Sequence, residues 1–313
     1  MGRVAPCGPG RQGRPEERRA RREVALDMLH IAGMPPVYDR WLNGVVPTWT
    51  SLTADRIDAL RGMPAWEDGA IRLAFDLTDD EIAQSPMVQN AFVLMRAAEA
   101  ADGLELTGKG NLTLATVSAM REAMDWPGCL FEQKWRAGKR LREGYVEELR
   151  LLRELVTMDS LLIRKHGRLR VGATGRRVLK GARERVQRNL FRNCFWDVSL
   201  SLFGEPECGY WPQPQIGLAL WSLSTTGDRW QDTETLMRLS VLPDEAVLRN
   251  PDWVAPVLFV LRLLRPLRWF GLVECRGEDA TRTGHGEWRK TPLFDRFVQF
   301  DPELAGTGTA TLH

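Results

Sequence analysis

Lysine is scarce: only 6 of the 43 basic side chains are lysine, and the rest are arginine. Tyrosine (3) and histidine (4) are nearly absent, while tryptophan (12) outnumbers phenylalanine (11). His30, His166, His285 and His313 are too few and too scattered for a familiar metal or acid–base centre. There is no His-Glu-x-x-His, no paired Cys-x-x-Cys and no close His/Asp cluster. His285, in a glycine loop near Glu287 and Arg289, reads as an exposed turn residue. Gly8 to Gly13 fits G-x-G-x-x-G literally but has no strand before it, and Gly172 to Gly175 lacks the length and lysine of a phosphate loop. No catalytic residue, metal ligand or cofactor is therefore assigned, and the expectation is a protein that is not an enzyme.

Long apolar runs are also missing. The longest uncharged one, Val254 to Leu261, falls far short of the roughly 18 residues of a membrane helix. No membrane partner is expected. The first 22 residues hold seven arginines against Glu16 and Glu17, and no apolar core follows to make a secretory signal. Cys7, Cys129, Cys194, Cys208 and Cys275 are odd in number and scattered. That pattern suits a reducing compartment, and cytoplasm is the expected location.

The net charge of +2 hides a strong asymmetry. Residues 23–128 carry 7 basic and 16 acidic side chains, residues 129–212 carry 18 and 10, and residues 213–313 carry 11 and 13. Five segments follow: a flexible basic tail (1–22), an acidic helical domain (23–102), a first module with a basic C-terminal helix (103–203), a second module (204–302) and a flexible tail (303–313). In the acidic part, Thr78 and Glu81 have capping-box spacing, and Val88 to Ala101 repeats apolar residues at helical period.

From Gly103 the pattern changes. Leu104 to Thr107 alternates like a strand, Gly108 to Asn111 is a turn, and Leu114 to Met124 has helical spacing. Glu147 to Met158 is an amphipathic helix with Val146, Leu149, Leu152, Leu155 and Val156 inward. Leu161 to Lys165, His166-Gly167 and Arg168 to Val171 read as strand, tight turn, strand, and a helix opens at Thr174-Gly175. Short strand, helices, hairpin and helix is the order of a winged-helix module. A similar order recurs: helices at Gln215–Ser224 and Thr233–Leu239, a long apolar helix from Trp253 to Phe270 with Pro256 and Pro266 inside it, strands at 272–276 and 287–290, and a last helix from Leu293. The predicted fold is mainly α with small β-hairpin wings (α+β), as tandem winged-helix-like modules behind a helical N-terminal domain.

The stretches LELTGKGNLTLATVSAMREAM, LLIRKHGRLRVGATGRRVL, RPLRWFGLVE and RKTPLFDRF resemble an uncharacterised bacterial family with winged-helix-like segments. Members are sometimes fused to plasmid- or insertion-element-borne domains. The resemblance covers about residues 86–300 and implies fold without an established activity. Some relatives begin with a SEC-C-type zinc motif. Here only Pro6 to Gly10 hints at it, and Cys7 lacks the other ligands, so no zinc site is carried over.

The feature that points to function is charge. Residues 160–192 contain eleven basic side chains against Glu184 alone. As one helix, 174–192 would bury Val178, Leu179, Ala182, Val186 and Leu190 and present an arginine sheath. Such density is self-repelling unless something negative answers it. Phosphates would do so, with affinity from counterion release and little sequence readout. The candidate nucleic-acid-binding residues are Arg164, Lys165, His166, Arg168, Arg170, Arg176, Arg177, Lys180, Arg183, Arg185 and Arg188, with DNA preferred over RNA. Glu147, Glu148 and Glu154 on the preceding helix would repel phosphate, so specificity is expected to be modest. Two alternatives stay open. The acidic front could cover the sheath, or the protein could be an interaction scaffold or homodimer held through Val254, Phe259, Leu263 and Trp269. The tryptophans read as core.

Overall fold

The chain is mainly helical, and among the described residues the strands form three small antiparallel sheets, two of three strands and one of two. In this computed structural model the described residues are 41–62, 69–128, 141–204, 209–248, 254–277 and 286–301. The basic start, the tail from 303, Cys7, Cys129, Cys208, His30, Trp253, His285 and His313 lie outside them.

The first elements follow their local signals. Helix α1 (Ala54–Arg61) stops at Gly62 and is followed by strand β1 (Ile71–Leu73). Helix α2 (Asp79–Ala83) has the capping box that its spacing predicts. Thr78 Oγ1 accepts from the Glu81 amide at 3.2 Å, and the Thr78 amide donates to the Glu81 carboxylate at 2.8 Å. Pro86 opens helix α3 (Pro86–Ala100), where a missing amide is harmless. Met87, Val88, Ala91, Leu94 and Met95 on α3 have no exposed surface.

Strand β2 (Leu104–Glu105), helix α4 (Leu114–Ala123), helix α5 (Glu147–Met158), strands β3 (Leu162–Lys165) and β4 (Arg168–Val171) and helix α6 (Ala173–Leu179) come next. β4 is the middle strand, with Leu104 opposite Leu169 and Leu162 opposite Val171. α3 packs on β4, α5 and α6. It is therefore the core helix of the first module, and the boundary expected at 102/103 divides a helix from the sheet it covers. Helix α7 (Val186–Arg192) then runs into a π-turn at Asn193–Asp197.

The second half repeats the order. It runs through helix α8 (Ile216–Thr226), strand β5 (Gln231–Asp232), helices α9 (Thr233–Ser240) and α10 (Glu245–Leu248), and a long helix. That helix comprises α11 (Val254–Phe259), a π-turn (Val260–Leu264) and α12 (Arg265–Trp269). Strands β6 (Val273–Arg276) and β7 (Glu287–Lys290) and helix α13 (Pro292–Phe297) follow, with β7 again in the middle, between β5 and β6. The two sheets thus share one connectivity. Strand β8 (Val298–Phe300) returns to pair with β1, Ile71 opposite Phe300 and Leu73 opposite Val298. Gly217 lets α8 lie directly on α1, since a Cβ there would stand 1.8 Å from the Leu60 carbonyl oxygen. A single buried cluster runs from Trp41 to Val298, so the front segment and both modules share one core.

The long helix corrects an expectation. Val254 is 6% exposed, and Phe259, Leu263 and Trp269 are at most 1% exposed. The apolar face assigned to a second copy is internal, as expected for a helix that is apolar all round. Two of its arginines, Arg262 and Arg265, are also enclosed. Arg262 donates to the carbonyls of Phe203, Gly209 and Trp211 at 2.7 to 2.9 Å. Arg265 lies over the rings of Phe203 and Trp269, with Glu147 at 3.2 Å and Glu148 at 3.9 Å.

Candidate nucleic-acid interface

The β3–β4 hairpin turns on His166 (φ 50°) and Gly167 (φ 70°). Two consecutive positive φ angles make the two-residue turn whose twist matches the strands. Arg164, Lys165 and His166 are exposed at its end. Arg168 and Arg170, on β4, are not. Arg168 donates to the carbonyls of Gly103 and Ala101, at 2.6 to 2.9 Å, where it covers the C-terminal end of α3. Arg170 donates to Asp102 at 2.7 Å. Both press on Gly103 (φ +98°), where a Cβ would come within 2.7 Å of Arg170 Cγ. Sequence placed these two arginines on the binding surface; the structure ties them to the protein's own backbone and to the acidic front.

The single basic helix expected over 174–192 is two helices. α6 ends in a Schellman arrangement: Gly181 (φ +117°) donates to the Val178 carbonyl and Ala182 to that of Arg177, both at 3.1 Å. The sequence signal for this break is Lys180-Gly181, which the periodicity of the surrounding residues masks. Ala182 consequently leaves the buried arc and is exposed.

The break sorts the cations. Arg176, Arg177, Lys180 and Arg185 are exposed. Arg176 also donates to the Val171 carbonyl at 2.8 Å, a bond that leaves its charge unanswered. Arg183 instead turns to the acidic front, 3.8 Å from Asp79 and 5.1 Å from the centre of the Phe92 ring. Arg188 stacks on Phe75 at 5.3 Å, and burial, then the charge of Arg185, lowers its pKa. Among the described residues, Arg164, Lys165, Arg176, Arg177, Lys180 and Arg185 have no ion-pair partner.

The carboxylates of α5 are placed differently from what the sequence suggests. Glu148 is 4% exposed and, with Glu147, faces Arg265 across the module boundary; only Glu154 projects outward. Glu143, equally hidden, accepts from the Leu112 amide at 2.7 Å and from Arg153.

Among the described residues six tryptophans, Trp41, Trp49, Trp211, Trp221, Trp269 and Trp288, are buried. Trp230 is different: Arg276 and Arg289 lie over its ring at 4.6 and 4.8 Å. Cys194 is buried, and burial pushes its thiol far up. Among the described residues no group of three or more His, Cys, Asp or Glu could hold a metal ion, and no helix is long and apolar enough to cross a membrane.

A model of the Y4jL N-terminal domain, an uncharacterised family, matches residues 83–185. The chain is similar to that domain over the stretch that contains α3, the first sheet, α6 and the break after it. No curated protein and no solved structure matches the chain.

Proposed function

We propose that this protein binds nucleic acid without acting on it chemically, DNA in preference to RNA, through phosphates and with modest sequence specificity. The two repeats are read as tandem winged-helix-like modules, and the β3–β4 hairpin as the wing that lies along the phosphate backbone. One observation carries the reading: six exposed cations, Arg164 and Lys165 on β3 and Arg176, Arg177, Lys180 and Arg185 on α6 and the break after it, have no ion-pair partner among the described residues. Their neighbours Arg170 and Arg183 have carboxylates beside them, Asp102 and Asp79, so the fold answers arginine where it has an acid to offer. A patch left unanswered is self-repelling, and polyanion phosphates relieve it by releasing counterions.

The test is a mobility shift with single- and double-stranded DNA and RNA across a salt series. If all six cations contact phosphate, log affinity falls with log salt at a slope of roughly −5. Absence of binding at low salt overturns the reading.

A further inference from the structure

Between the C-terminal end of α5 and the α6–α7 break lies a cavity of about 300 Å³, at the lower end of small-ligand sites. Its apolar wall is Val178, Ala182 and Val186. Its polar lining is unusual, because carboxylates (Asp159, Glu184) and guanidinium groups (Arg177, Arg185) share one space without pairing. Asp159 is instead held by a neutral partner: Asn189 Nδ2 donates to both its oxygens, at 3.1 and 3.3 Å. Burial raises the Asp159 pKa, the sign of a carboxylate with no cation to compensate it. Each Asp159 oxygen accepts one bond from Asn189 and has capacity for another, and Arg177 and Arg185 on the same lining are among the six open cations.

We infer that this cavity takes one unpaired guanine nucleotide, with the base edge on Asp159, the ring against Val178, Ala182 and Val186, and the phosphate on Arg177 and Arg185. The inference rests on the nucleic-acid reading and adds a base preference to it. A carboxylate is acceptor-only and binds best a ligand that presents two adjacent N–H donors. On their pairing edges adenine and cytosine offer a donor beside an acceptor, and thymine and uracil a donor between two acceptors. Guanine alone offers N1–H beside the N2 amino group. That edge is free only in a single strand, a loop or an end, where proteins read it, or in a free nucleotide.

The experiment is fluorescence anisotropy on the full chain with labelled single strands that differ at one central base: guanine, inosine (which lacks the N2 amino group) or adenine. Calorimetry with free guanosine and adenosine monophosphates distinguishes a strand-borne base from a free nucleotide. Guanine is expected to win by about tenfold, the scale of a good two-point base contact. Asp159→Asn should remove the preference while leaving the salt slope unchanged. Ala182→Trp, at an exposed position on the cavity wall, should also remove the preference by filling the space. Equal binding of all three strands and both nucleotides overturns the inference while leaving phosphate binding intact. So does a preference that survives Asp159→Asn in a variant with the wild-type melting temperature. If no strand binds, the nucleic-acid reading falls, and the monophosphate titration still decides the cavity.

Discussion

The two hairpins have the same connectivity and opposite electrostatics. In the second, Arg276 meets Glu287 at 2.7 Å, Arg289 meets Glu274, and both guanidinium groups cover Trp230. The hydrogen bond with Arg276 holds the Glu287 carboxyl below its ordinary pKa. In the first, the strand partners of the cations are themselves basic or apolar: Lys165 lies opposite Arg168, and Arg164 opposite Leu169. One hairpin is electrostatically closed and the other open, although each arises from short strand, helices and turn in the same order. Topology therefore does not distinguish the two repeats; the cross-strand partners do. Cross-strand opposite charges are mutually favourable and like charges are not, so the open hairpin is tolerated rather than optimised.

The contrast can be broken most directly by charge reversal. Replacing Arg164, Lys165, Arg177 and Lys180 by Glu should weaken nucleic-acid binding by about a thousandfold or more at low salt. Arg276→Glu with Arg289→Glu should change it by less than about twofold, because those charges are already answered. Equal losses would show that both hairpins bind. Arg183 is left out of the first set, since reversing it would set like charge against Asp79 and disturb the fold.

The boundary between the repeats gives the next effect. Arg265→Met removes the cation facing Glu147 and buried Glu148, and leaving a buried carboxylate without its partner costs about 3–5 kcal/mol. A urea titration reads that loss. An unchanged midpoint would mean that the two repeats are not locked by this contact.

Smaller effects sharpen the picture of the open hairpin and its surroundings. His166 occupies the left-handed region, where asparagine is more at ease. His166→Asn should therefore stabilise the turn by roughly 0.5 kcal/mol, seen as a small rise in melting temperature with binding retained. Asp159 gives a pH signature. Its folded pKa is raised above the unfolded one, so the folded state holds the proton more tightly, and stability falls as pH rises between the two values. Asp159→Asn should flatten that slope, as measured by urea midpoints from the acidic end of the carboxylate range to neutrality. A slope retained in the variant would assign it to another group.

Much of this architecture was legible because the signals are local. The Thr78 capping box, the bounds of α5 and the His166-Gly167 turn each depend on a few neighbouring residues. The basic surface was legible only as a quantity of charge. Of the eleven residues expected to bind, Arg168, Arg170, Arg183 and Arg188 have partners on α3, its C-terminal loop or the acidic front. Nothing in their own segment distinguishes them from Arg164 or Arg177. The apolar helix from Val254 was read correctly as a helix and wrongly as an interface, since apolarity marks burial and does not say by what. Strand β5 was missed because two residues show no alternation.

What the sequence alone determined is the menu of elements, their order and its repetition, and the concentration of arginine between 160 and 192. Backbone conformation and period are set within a few residues, so a linear reading reaches them. What only the tertiary structure decided is which charges are spent and which remain. The pairing of β1 with β8, the docking of Asp79 and Phe92 on Arg183, and the enclosure of Arg265 by Glu147 and Glu148 all join residues distant in the chain. Electrostatic compensation acts across a few ångströms of space, and only folding determines which groups come that close.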